Sequence, residues 1–199
     1  MVAFRMPPSP YVTLAEFFAW VPEDRSVRSW QLIDGQPAAM APATEAHGAL
    51  QMEIGALLRN HLLAKGGPCR VISEGGIVPR VRSDRNYRVP DLGVTCAPPS
   101  TNLMVAEPVL LIEILSPGNE AETWSNVWAY ATIPSVMEIL VVSSTKIEAD
   151  LLRRCDDGSW PETPDRISPE GDLQLASIDF SAPLASFSRT TVLNTAAGG

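Results

Sequence analysis

The apolar positions of this chain change period several times, and each change marks an element. From Val109 to Leu115 they run almost unbroken, and β-branched residues favour pleated backbone over helix. Glu113 interrupts this run. Side chains alternate along a strand, so Leu111, Glu113 and Leu115 share one face while Leu110, Ile112 and Ile114 share the other. Apolar residues on both faces predict a central strand, with Glu113 looking into a pocket. Upstream, Leu50, Ile54, Leu57, Leu58 and Leu62 follow helical spacing and predict a long helix from about His47 to Lys65, stopped by Gly66, Gly67 and Pro68. A second helix is expected over about 123–132, with Trp124, Val127, Trp128 and Ala131 as its apolar side and Pro134 beyond its end.

Short-range signals fill in the rest. Thr13 and Glu16 have the spacing of a capping box and predict a short helix through Phe17, Phe18 and Trp20. Asp34-Gly35 between two apolar runs predicts a hairpin of Trp30–Ile33 with Gln36–Met40. Short strands are expected at 69–73, 77–81, 92–96, 137–142 and 147–153, with edge strands at 172–175 and 178–180. Breaker clusters at 83–86 and 116–119 predict turns. Residues 1–10 and 194–199 read as flexible ends. The order of elements predicts an α/β (α+β) fold, a mixed central sheet flanked by helices with extra β-hairpins. At 199 residues, without repeat or linker, the chain reads as a single domain, 1–199.

Composition narrows the function classes. No stretch reaches the roughly 20 apolar residues a membrane helix needs, so no membrane role is expected. The N-terminus has no signal-peptide pattern. Cys69, Cys96 and Cys155 are odd in number and widely spaced, which argues against a disulfide framework and fits a cytoplasmic protein. Cys96 reads as a buried thiol. The net charge of −8 counts against a protein that coats DNA, because such binding comes from Lys and Arg meeting phosphates.

The candidate chemistry lies in two acids. Asp91 follows Pro90 at the mouth of the strand at 92–96, and Glu113 lies in the central strand. A charge in such a run is costly unless it is paired or holds a metal. Two acids on neighbouring strands therefore form a candidate divalent-metal site. The bland alternatives are a turn role for Asp91 and a buried ion pair between Glu113 and Arg80, Arg82 or Arg88. Facing an empty acidic pocket, Glu113 would have a raised pKa, from desolvation and from Asp91. His47 begins the long helix and Glu74 reads as a turn residue. Asn126 and Tyr130, one helical turn apart, share a face. Arg80, Arg82, Arg85 and Arg88 form either a phosphate-contacting lip or a solvated charged hairpin.

Taken in order, several of these segments resemble the Uma family of restriction endonucleases, built on the PD-(D/E)XK nuclease fold. The likeness runs from about Thr13 to Phe187. It rests on 30–35, on 43–47 opening the long helix, on Val89-Pro90-Asp91, on 111–117, on 126–130 and on 134–142. The resemblance implies that Asp91 and Glu113 bind Mg²⁺ (or Mn²⁺); Glu74, read as a turn residue, is the acid to add where a third ligand is needed. It also implies that His47 stands near water or phosphate, that Tyr130 lies at a motif position beside the substrate, and that nucleic acid, DNA first, is that substrate; Arg80, Arg82 and Arg88 are the candidates to meet its phosphates. Nucleases of this fold carry a Lys two residues after the Glu; here that residue is Leu115. The family also carries a Lys four residues before the Tyr; here that residue is Asn126. Lys65 and Lys146 are the only lysines. The expected function is a Mg²⁺-dependent endonuclease with its catalytic Lys replaced, Asn126 standing in. The alternative is a degenerate nuclease fold that binds nucleic acid or protein without turnover. Double-strand cutters commonly act as two-fold dimers, so a homodimer is expected by analogy.

Overall fold

The structure, a computed structural model, describes residues 11–24 and 30–196. The expected flexible end at 1–10 lies outside the described residues, as do 197–199. Residues 194–196, expected to be flexible, belong to a short helix, Val192–Ala196.

The centre is a six-stranded mixed sheet. In chain order its strands are β3 (Arg70–Ser73), β4 (Leu92–Thr95), β5 (Pro108–Leu115), β6 (Glu138–Ser143), β7 (Ala149–Arg153) and β8 (Asp165–Ile167), and they lie in that order across the sheet. β5 and β6 pair in parallel; every other neighbouring pair is antiparallel. Two hairpins stand apart. β1 (Trp30–Ile33) pairs with β2 (Gln36–Ala39), and β9 (Asp172–Leu175) pairs with β10 (Phe180–Pro183). At the first hairpin tip Asp34 and Gly35 both have positive φ, as a two-residue turn matched to strand twist requires. This is a mixed α/β fold with helices packed on a central sheet.

The alternation in β5 divides the core. Leu110, Ile112 and Ile114 face α2 (Glu45–Lys65) and pack with its Leu50, Ile54, Leu58 and Leu62, together with Leu173, Leu175 and Phe180 from the C-terminal hairpin and Phe187 from the 3₁₀ turn after it. Leu111 faces the opposite way. It packs with Val127 and Tyr130 of α3 (Glu120–Tyr130) and with Ile139, Val141 and Leu152. Glu113 therefore points toward α3. A third cluster joins α1 (Leu14–Asp24) to the first hairpin through Phe17, Leu32, Tyr87 and Val89. The capping box that opens α1 forms: the Thr13 amide donates to Glu16 Oε2 at 2.8 Å, and the Glu16 amide to Thr13 Oγ1 at 3.2 Å.

Several local expectations give way. No strand forms over 77–81. Ile77 makes a single bridge to Arg88, and the run ends there because Pro79 has no N–H to donate. The Arg80 and Val81 amides donate instead to Thr132 Oγ1. On α3, Val127 is buried but Trp128 is 48% exposed, so the apolar side expected from the tryptophans is not the packed one. Residues 176–178 form a 3₁₀ turn rather than an edge strand, and pairing begins at Phe180. β8 has no apolar alternation and gave no strand signal. Cys96 is not a free thiol. Register pairs Arg70 with Thr95, so Cys69 and Cys96 come together one step further out and are joined as a disulfide. Odd number and wide spacing hid this pair, which sheet register alone brings together.

Candidate active site

Both acids lie where the sheet meets the N-terminus of α2 and one face of α3. Asp91 immediately precedes β4. Its Oδ2 accepts from the Ile114 amide at 2.6 Å, which stitches the mouth of β4 to β5. Its Oδ1 lies 2.9 Å from His47 Nε2. His47 sits three residues beyond Thr44, whose hydroxyl caps α2 by accepting from the His47 amide at 3.2 Å. That cap aims the imidazole back across the helix start. The other ring nitrogen, Nδ1, lies 3.1 Å from Ser116 Oγ, just past the end of β5. Gln51, one helical turn further along α2, donates to the Asp91 carbonyl at 2.9 Å.

Glu113 is 6% exposed. Its Oε1 accepts from the Tyr130 hydroxyl at 2.5 Å and from Asn126 Nδ2 at 3.2 Å. Its Oε2 has no hydrogen-bond partner among the described residues. Burial, and then the charge of Asp91, push the Glu113 carboxyl up to about 8; the bonds from Tyr130 and Asn126 oppose this without cancelling it. Burial, followed by the neighbouring Glu113, raises the Tyr130 hydroxyl well above its ordinary value. Behind Asn126 stands Arg88, whose Nη1 donates to Asn126 Oδ1 at 2.8 Å.

A cleft of about 640 Å³ opens over this cluster. His47, Asp91, Glu113, Ser116, Glu122 and Asn126 line it, with Glu74 on its wall. Among the described residues, no Lys or Arg lines it. Gln31 ties the hairpin to α3, donating to Glu122 Oε1 at 3.0 Å while its own carbonyl oxygen accepts from the Val89 amide at 3.0 Å.

The structure thus brings together Asp91, Glu113, Asn126, Tyr130 and His47. Glu74 reaches only the cleft wall; its residue has positive φ, and its amide donates to the Asp91 carbonyl at 3.1 Å. The arginines do not form one lip. Arg82 pairs with Asp34 at 2.6 Å, and Arg85 stacks on Tyr11 with its guanidinium 5.3 Å from the ring centre. Arg80 lines a separate groove with Pro79, Val105 and Pro134. Arg88 is buried rather than at the surface. Glu122 and Ser116 were not singled out from the sequence. Glu122 lies four residues before Asn126, so Glu122, Asn126 and Tyr130 form an i, i+4, i+8 stripe. That spacing was the available signal.

The donor set suits a hard divalent cation. Such an ion needs only one or two carboxylates and keeps several waters. Glu113 offers an unengaged oxygen, and the charge of Asp91, which after burial raises its pKa, is what a cation between two acids would offset. No group of three His, Cys, Asp or Glu residues is arranged to enclose a metal among the described residues, so water would complete any coordination.

The whole arrangement falls within a match, over residues 14–184, to the Uma2 family, described as "Putative restriction endonuclease". The chain belongs to this family. An uncharacterised protein of Synechocystis sp. is 33% identical over 177 residues, which cover 87% of this chain and 90% of that one. In fold, the chain is similar to the crystal structure of "a putative nuclease belonging to DUF820" from Anabaena variabilis. The TM-score is 0.68 at 16% identity, covering 88% of this chain and 97% of the other. The fold is therefore nuclease-like. Among the described residues, no helix is long and apolar enough to cross a membrane.

Proposed function

We propose that this Uma2 protein is a divalent-metal-dependent endonuclease that hydrolyses phosphodiester bonds, DNA being the first substrate to try. The observation that carries the reading is Glu113. It is a carboxyl whose Oε2 is unengaged at a cleft of about 640 Å³, and burial, then the charge of Asp91, push its pKa up to about 8. A fold gains nothing in stability from such a group, and perturbed acids of this kind cluster at functional sites.

Asp91 and Glu113 would hold Mg²⁺ or Mn²⁺. When bound, the ion would lower the pKa of a water and neutralise charge on the phosphate. The protein's own residues do the positioning. The Ile114 amide and His47 fix the two oxygens of Asp91. Tyr130 and Asn126 fix Oε1 of Glu113 and leave Oε2 toward the cleft. Asn126 takes the place of the missing Lys and offers a neutral donor. Ser116 and His47 border the space open to the attacking water. A homodimer, with one site per strand of a duplex, completes the reading; sedimentation of the purified protein tests it.

Among the described residues the cleft lacks Lys and Arg, which favours a second reading, a nuclease fold that binds a partner without turnover. Calorimetry with Mn²⁺ tests the metal site without a guess at substrate. Wild type should bind in the micromolar-to-millimolar range, and Glu113→Gln should not. Equal binding by both proteins, or binding by neither, would remove the metal from this site.

A further inference from the structure

Arg88 is an anomaly that this reading leaves unused. It is 4% exposed, yet it makes no ion pair among the described residues. Its Nη1 donates to Asn126 Oδ1 at 2.8 Å, its Nη2 to Asn86 Oδ1 at 3.3 Å, and its buried Nε has no partner. Burial pulls its pKa down from the ordinary value, so the fold bears a cost in keeping it charged. A buried guanidinium without a carboxylate is a poor structural brace, because desolvation is offset only when charge meets charge.

The chemistry of the amide explains what it does. An Asn side chain can present either its oxygen or its NH₂ to a neighbour, and only the partners decide which. Arg is a donor and never an acceptor. Arg88 therefore forces Asn126 Oδ1 to face it and turns Nδ2 toward Glu113 and the cleft. Nδ2 has two N–H groups. One donates to Glu113 Oε1 at 3.2 Å. The other has no partner among the described residues, and Asn126 lines the cleft. The positive charge on the far side of the amide also polarises it and strengthens Nδ2 as a donor.

We infer that Arg88 is a positioning residue, and that Arg88 and Asn126 together form a charge-backed donor for a phosphodiester oxygen at the site. Arg88 acts through Asn126 and touches no substrate. It supplies from behind the cleft the charge that Leu115 and Asn126, being neutral, do not. The inference rests on the nuclease reading for the identity of the anion, but not for the orientation of the amide.

The test uses the full chain and three variants: Arg88→Gln, Arg88→Lys, and Arg88→Gln combined with Asn126→Lys. Two readouts are needed. The first is the side-chain amide signal of Asn126 in ¹H–¹⁵N spectra. The second is kcat and KM for Mn²⁺-dependent cleavage of a supercoiled plasmid. Arg88→Gln should shift the Asn126 signal and lower kcat about 100-fold with little change in KM, as expected when a transition-state donor is lost. Arg88→Lys, still a pure donor, should keep the wild-type signal even where Arg88→Gln folds poorly. The combined variant should recover about tenfold of the lost kcat, because Lys brings its own charge. Full kcat in Arg88→Gln, or no recovery in a folded combined variant, would overturn the inference. Should the wild type cut nothing, the nuclease reading falls and the spectrum decides: an Asn126 signal unmoved in Arg88→Gln overturns the positioning role, and a moved one upholds it.

Discussion

Glu113→Gln should make the protein more stable at neutral pH and flatten its dependence on pH. In the folded chain the Glu113 carboxyl titrates at about 8 against an ordinary value of 4.5, chiefly because it is buried and then because Asp91 is charged. A raised folded pKa means that the folded state holds the proton more tightly than the unfolded state. Its stabilising contribution is complete below pH 4.5 and is lost as pH rises toward 8. The loss is about 1.4 kcal/mol per pH unit across that window, hence about 3 kcal/mol by pH 7. Glutamine copies the shape of the protonated acid, still accepts from Tyr130 and Asn126, and cannot ionise. Thermal melts of both proteins at pH 5, 7 and 8.5 provide the assay. The variant should gain little at pH 5 and about 6–12 °C at pH 7, given 2–4 °C per kcal/mol for a chain of this size. A variant less stable than wild type at every pH, with parallel curves, would refute the reasoning. Glu113 would then be an ionised structural acid.

Two further predictions concern the frame around the site. A Cβ at Gly76 would overlap the ring of Tyr87, which is 2% exposed and packed under the first hairpin, so Gly76→Ala should cost at least about 1–3 kcal/mol in denaturant melts. An unchanged midpoint would mean that this contact is loose. The bond between Cys69 and Cys96 spans 27 residues and closes a loop worth about 3.5 kcal/mol on chain-entropy grounds, so Cys69→Ser should lower stability by about that amount. Thiol titration of the unfolded, unreduced protein should find one reactive cysteine, Cys155; finding three would refute the pairing.

The parts legible in the sequence were those set by strict periodicity. The α2 stripe, the alternation in β5 and the Asp34-Gly35 turn all form as read, because each is fixed by local geometry. That Glu113 shares the face of Leu111 followed from parity alone; that this face meets α3 did not. What escaped was set by tertiary partners. Trp128 is large and apolar yet exposed, because the packed face of α3 is instead Thr123, Asn126, Val127 and Tyr130, where Asn126 and Tyr130 meet Glu113. The four arginines between 80 and 88 look alike in sequence. Only the fold separates Arg82 on Asp34 from Arg88 behind Asn126. Ser116 read as part of a breaker cluster, and only the start of α2 crossing the end of β5 brings it to His47. The disulfide depended on register, which no spacing rule could supply.

The central claim is that Asp91 and Glu113 form the working centre of a nuclease. Incubating a supercoiled plasmid with wild type, Asp91→Asn and Glu113→Gln in Mg²⁺ or Mn²⁺ tests it most directly. The account predicts nicked or linear product from wild type, its loss with chelator, and a drop of at least about 100-fold in either variant. Cleavage that is the same in all three proteins would contradict it, as would cleavage that persists in excess chelator.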